Sequence, residues 1–89
     1  MGATKAHRRL SPPDRVALKL QLLTARQLEV LQLVALQRTN PQIGRLLTIS
    51  PRTVQRHLEQ IFLALDVHSR QEAGDIWRAE SAEMGRSGA

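Results

Sequence analysis

The chain has 89 residues and a formal net charge of +5, with 42% hydrophobic and 24% charged residues. That is an ordinary globular composition for one small domain, and a chain this short buries only about 60% of its unfolded surface, which leaves no room for a deep active-site cavity. Cysteine is absent, so disulfide frameworks and cysteine-based zinc sites are excluded, and the composition suits a reducing cytoplasm.

Met1 to Leu10 is small, polar and basic, has no apolar period, and reads as a flexible arm. Ser11, Pro12, Pro13 and Asp14 form a helix-start pattern, and Val16, Leu20 and Leu23 follow at helical spacing, so a short helix is expected over about 13–21. Lys19 and Gln21 interrupt the apolar run. No signal-peptide core or span of about 20 apolar residues is therefore present, and a cytoplasmic protein without a membrane partner is expected. The positive charge points to anionic partners such as nucleic acid. Its distribution weakens that argument: residues 1–23 carry five basic side chains against Asp14 (+4), whereas residues 24–77 carry six arginines against five acids (+1).

Thr24 opens the next helix, with Gln27 at the capping-box position and Leu28, Leu31, Val34 and Ala35 on one face, widened by Val30 and Leu33. After a break over Gln37 to Asn40, Asn40 is expected to cap a short helix from Pro41, with Ile43, Leu46 and Leu47 turned inward. Gly44 within it would cost roughly 1 kcal/mol against alanine, and a close helix approach is the expected reason for it. Thr48, Ile49 and Ser50 then make a turn of about three residues, in which Ser50 caps and Pro51 starts a helix over 51–65. Two helices joined so tightly form a helix-turn-helix pattern. Beyond Asp66, Ser69 with Glu72 makes another capping box, and Ala73, Ile76 and Trp77 line one stripe of a last helix; from Glu80 onward the chain is small and polar and is expected to fray.

Within 51–65, Val54, Leu58, Ile61, Phe62 and Leu65 share one stripe, while Arg52, Gln55, Arg56 and Glu59 face the other way. A polar helix face ordinarily meets only water. Here the helix follows a tight turn, carries two arginines one turn apart, and adds the uncharged hydrogen-bonding residues Thr53, Gln55 and Gln60. A helix held that way fits a major groove about 12 Å wide, and its N-terminus offers free N–H groups to phosphate.

The segments LTARQLEVLQLVA, NPQIGRLL and ISPRTVQRHLEQIFLALDVHSRQEA resemble the LuxR-type (GerE-like) helix-turn-helix domain in motif order and spacing, over about residues 22–77. The resemblance implies an all-α, four-helix DNA-binding domain of a transcription regulator, with the third helix reading DNA and the fourth a dimer contact; the short N-terminal helix would be extra. By position, Thr53, His57 and the start of the recognition helix would hold the DNA backbone, Gln55, Arg56, Glu59 and Gln60 would face bases, and Arg52, Asn40 and Ser50 complete the implied DNA-binding set. Ala73, Ile76 and Trp77 would form the dimer surface. Double-stranded DNA and a second copy of the chain are the implied partners, with RNA polymerase or another regulator as further candidates. The expected layout is a basic arm over 1–21, the domain over 22–79 and a flexible tail over 80–89. No cofactor is implied. Nor is a metal: His7, His57 and His68 lack ligand spacing, and no nucleophile elbow or phosphate loop organises an enzyme.

Departures from the family pattern matter. Gln55 stands where lysine is usual, Leu63 and Ala64 stand where basic residues are usual, and Gln37 replaces a glycine after the first helix. Weaker non-specific DNA binding with a shallow salt slope is expected, together with a left-handed, strained Gln37. Two alternatives remain at this point: a sigma factor region 4-like domain, against which the VHSRQEA segment argues, and a protein-interaction module that kept the fold but lost DNA affinity.

Overall fold

The computed structural model describes residues 19–88, with side chains to Ala82. The short helix expected over 13–21 lies outside the described residues except for Lys19 and Leu20, which are helical, and Gln21, which is in a turn. Four helices follow, α1 (Ala25–Ala35), α2 (Asn40–Leu47), α3 (Pro51–Leu65) and α4 (Arg70–Gly88), and no strand occurs among the described residues.

Local chemistry sets each start. At α1 the expected capping box is present: the Thr24 hydroxyl accepts from the Gln27 N–H (3.1 Å), and the Gln27 side-chain carbonyl accepts from the Thr24 N–H (3.0 Å). The start of α2 corrects the sequence reading. Thr39, not Asn40, is the cap, in a second box with Gln42. Asn40 becomes the first helical residue, and its side chain is free for other partners. Ser50 caps α3 as expected, accepting from the Thr53 N–H at 3.1 Å. Before α4, the Ser69 hydroxyl accepts from the Glu72 N–H, but the Glu72 carboxylate reaches past it to the His68 N–H at 2.7 Å, so the box is displaced by one residue. The helix itself continues to Gly88, past the point at which fraying was expected.

The three turns close alike. Gln37, Thr48 and Asp66 adopt left-handed backbone with φ of 65°, 61° and 59°. The N–H that follows each reaches back five residues: Arg38 to Leu33, Ile49 to Gly44 and Val67 to Phe62, all at 2.9–3.0 Å. Such a closure satisfies carbonyls that a helix end would otherwise leave unpaired. Glycine usually takes this conformation, and the β-branched Thr48 is the least suited of the three to it. Thr48→Gly should therefore stabilise the domain by up to about 1 kcal/mol, since relief of strain outweighs the added freedom of the unfolded chain. Thermal denaturation would show a melting point a few degrees higher; an unchanged or lower one would mean that no strain resides at Thr48.

The core gathers one stripe from each helix: Val30, Leu31 and Val34 from α1, Ile43 from α2, Val54, Leu58, Ile61 and Leu65 from α3 and Ala73 from α4, joined by Leu20, Leu23 and Val67. Leu47 packs against this cluster, whereas Leu46 is 60% exposed, so only one of the two leucines expected inside is there. Gly44 has a different neighbour from the one expected. A Cβ at that position would lie 2.5 Å from the Ile49 carbonyl oxygen, so the close approach is to the backbone of the α2–α3 turn. Arginines bind α4 to the end of α1: Arg78 donates to the Ala35 carbonyl and to the Asp75 carboxylate, and Arg70 donates to the Arg38 carbonyl at 2.6 Å.

Candidate nucleic-acid interface

The burial of α3 fixes which of its faces is available. Val54, Leu58, Ile61 and Leu65 are at most 3% exposed. The opposite stripe of Arg52, Gln55, Arg56, Glu59 and Leu63 is exposed throughout. Arg26, Arg70 and Arg78 are paired within the domain, but among the described residues neither Arg52 nor Arg56 has a hydrogen-bond or ion-pair partner. Two free guanidiniums, each with donors in a fixed fork, thus stand one turn apart on the one helix whose N-terminus follows the short turn.

The other expected site residues divide into three groups. Ser50 and Thr53 lie at the start of α3 and bond each other through their hydroxyls at 3.0 Å. Asn40, at the start of α2, donates from Nδ2 to Gln55 Oε1 at 3.3 Å. Gln60 lies on the flank towards α1, where its Oε1 accepts from Gln27 Nε2 at 2.7 Å, so its carbonyl serves the join between helices. His57 is half-buried, and its Nδ1 is enclosed without a partner among the described residues.

Three residues that sequence reasoning did not assign to the site help to shape it. Gln27 holds Gln60, and Arg70 donates from Nη1 to Asn40 Oδ1 at 2.6 Å. Thr39 releases Asn40 from capping, and the signal for it was present in the sequence, since Gln42 stands three residues after Thr39 as Gln27 does after Thr24. On α4, Ala73 has 0% exposure and belongs to the core, so its side chain cannot form a dimer surface; Ile76 and Trp77 are half-buried against the core.

Residues 21–76 match the family described as bacterial regulatory proteins, luxR family (GerE). The chain belongs to this family. It is an all-α LuxR-type helix-turn-helix DNA-binding domain of the transcriptional regulator class, a non-enzymatic family, and the sigma factor alternative falls away. The LuxR-type chain is 41% identical over 71 residues to the transcriptional regulatory protein LiaR of Bacillus subtilis (strain 168), covering 80% of this chain and 34% of that protein. To YhjB of Escherichia coli (strain K12), named as an HTH-type transcriptional regulator, it is 41% identical over 61 residues, covering 68% and 30%. To the transcriptional regulatory protein DegU of Brevibacillus brevis it is 41% identical over 54 residues, covering 61% and 23%. The chain thus spans about a third or less of the length of these relatives. No solved structure gave a significant match. Among the described residues, no helix is long and apolar enough to cross a membrane, and no group of His, Asp or Glu is arranged to hold a metal ion.

Proposed function

We propose that this LuxR-type domain reads double-stranded DNA by laying α3 in the major groove, with Arg52, Gln55, Arg56 and Glu59 at the base edges. Ser50, Thr53, Asn40 and His57 flank them towards the phosphates. The observation that carries this reading is the exposed stripe with two arginines that have no partner among the described residues, on a helix whose other side is sealed in the core. Arg56 would donate two hydrogen bonds to a guanine, and Glu59 would accept from a cytosine amino group. Gln60 contributes less than its position in the sequence suggests, because its carbonyl is held by Gln27.

Two copies would pair through Ile76 and Trp77 on α4 and address half-sites about one helical turn apart. The domain would serve as the output end of a regulator inside the cell, with RNA polymerase or another regulator as a further partner; the names of the relatives support that placement. Selection from random duplex DNA, then titration of the winner at two salt concentrations, tests the reading. Enrichment of a two-fold symmetric motif is expected, with a shallow salt slope because few phosphates are neutralised. Arg56→Ala should weaken binding by about 1–3 kcal/mol and relax preference at one position. No enrichment, with weak binding lost equally in salt by both proteins, would favour the interaction-module reading, for which Gln55, Glu59, Leu63 and Ala64 are the motivating residues, Leu63 being 82% exposed at the end of the same stripe.

A further inference from the structure

A chain of side-chain hydrogen bonds runs from α4 to the exposed face of α3. Arg70 Nη1 donates to Asn40 Oδ1 (2.6 Å), Asn40 Nδ2 donates to Gln55 Oε1 (3.3 Å), and Gln55 Nε2 donates to Glu59 Oε2 (3.4 Å). An amide can face either way, because one end accepts and the other donates. The two ends of this chain cannot: a guanidinium only donates, and a carboxylate only accepts. Between a donor-only anchor and an acceptor-only terminus, two amides in series have one self-consistent direction. Asn40 must give its oxygen to Arg70, hence its NH2 to Gln55, and Gln55 must turn its oxygen inward and its NH2 outward.

We propose that Arg70 and Asn40 are specificity-determining positioning residues, which set the hydrogen-bonding sign that Gln55 presents to DNA. The inference rests on the reading above that the α3 stripe faces bases. Arg70 itself lies 15 residues beyond Gln55 in the sequence and on another helix. With the chain intact, Gln55 offers a donor. Guanine meets a donor with O6 and N7, thymine with O4 and adenine with N7, whereas cytosine presents only its N4 amino donor in the major groove. Gln55 therefore discriminates against cytosine on the strand it contacts. The two-bond pairing of glutamine with adenine is disfavoured as well, because it needs the carbonyl that Asn40 holds.

The sign can be loosened without altering Gln55. Asn40→Asp replaces the amide with an acceptor at both ends, which still receives Arg70 but leaves Gln55 between two carboxylates that compete for its NH2, so its inward oxygen is no longer held. The substitution is mild for the fold, since residue 40 is the first residue of α2, where negative charge is favourable. Arg70→Met is a second variant, which removes the donor-only anchor, so that of the two ends only the exposed Glu59 carboxylate still acts on Gln55. Selections from random duplex DNA with the full chain as wild type, Gln55→Ala, Asn40→Asp and Arg70→Met are compared by base ratios within each motif, because the added charge at residue 40 weakens binding to every sequence.

The position whose preference disappears in Gln55→Ala marks the contacted base. There the wild type should favour guanine over cytosine by roughly 2- to 10-fold, the worth of one hydrogen bond. The ratio should fall towards one in both variants, because Asn40→Asp sets two carboxylates in competition for the Gln55 NH2 and Arg70→Met removes one of the two ends that fix its direction. A ratio unchanged in both variants overturns the inference while base reading by α3 stands. Loss of no position in Gln55→Ala overturns it too. A wild type that enriches no sequence at all removes the reading of α3, and this inference with it.

Discussion

Val54→Asp should abolish cooperative folding. Val54 is 0% exposed and belongs to the core cluster with Leu31, Ile43, Leu58 and Ile61. A carboxylate there would lose its water and gain no partner, a situation that costs about 3–5 kcal/mol even when measured as the breaking of a buried pair. A domain of this size has only about 4–10 kcal/mol to lose. Leu63→Asp is the control, on the same helix but 82% exposed, and should alter stability by no more than about 0.5 kcal/mol. Circular dichroism on heating distinguishes the two: a shallow, early transition for the first and a normal melt for the second. A cooperative melt of Val54→Asp at the wild-type temperature would refute the assignment of the buried face.

Gly44→Ala is expected to act against the usual rule for helices. In an open helix this change gains about 1 kcal/mol. In α2 the new methyl would stand 2.5 Å from the Ile49 carbonyl oxygen, with Ser50 and Pro51 backbone atoms at 3.5 Å, and none of these is the end of a flexible side chain. The turn would have to move, at a cost of about 1–3 kcal/mol net of the gain, as in other overpacked sites. Because that turn sets α3 relative to α2, DNA affinity should fall further than the loss of stability accounts for. Denaturant unfolding with a parallel binding titration checks both effects. A variant as stable as wild type would show that the contact is loose.

Legibility in the sequence followed the range of the interaction. The starts of α1 and α3 could be read because Thr24 with Gln27, and Ser50 with Pro51, act over three residues or fewer. Asn40 was misassigned because threonine and asparagine both cap well and Pro41 is compatible with either register; only Gln42 distinguished them. Leu46 and Leu47 are adjacent on a short helix, and which of them is buried depends on α3 and α1, not on periodicity. The stripe of Arg52, Gln55, Arg56 and Glu59 was legible because the 3.6-residue period of a 15-residue helix leaves little choice. Its polar supports were not. Gln27 and Gln60 are 33 residues apart, and Arg70 and Asn40 are 30, and no local rule pairs side chains over such distances.

The amides on the two flanks of α3 have a consequence for association. Gln60 is held from the α1 side and Gln55 from the α2 side, while four apolar side chains seat the helix beneath. A helix restrained on both flanks cannot roll about its own axis. The orientation of its outward side chains is therefore settled before any encounter, and little ordering entropy remains to be lost on docking. Binding to a matched site should then be limited by diffusion and electrostatic guidance, with discrimination between sites expressed in the lifetime of the complex.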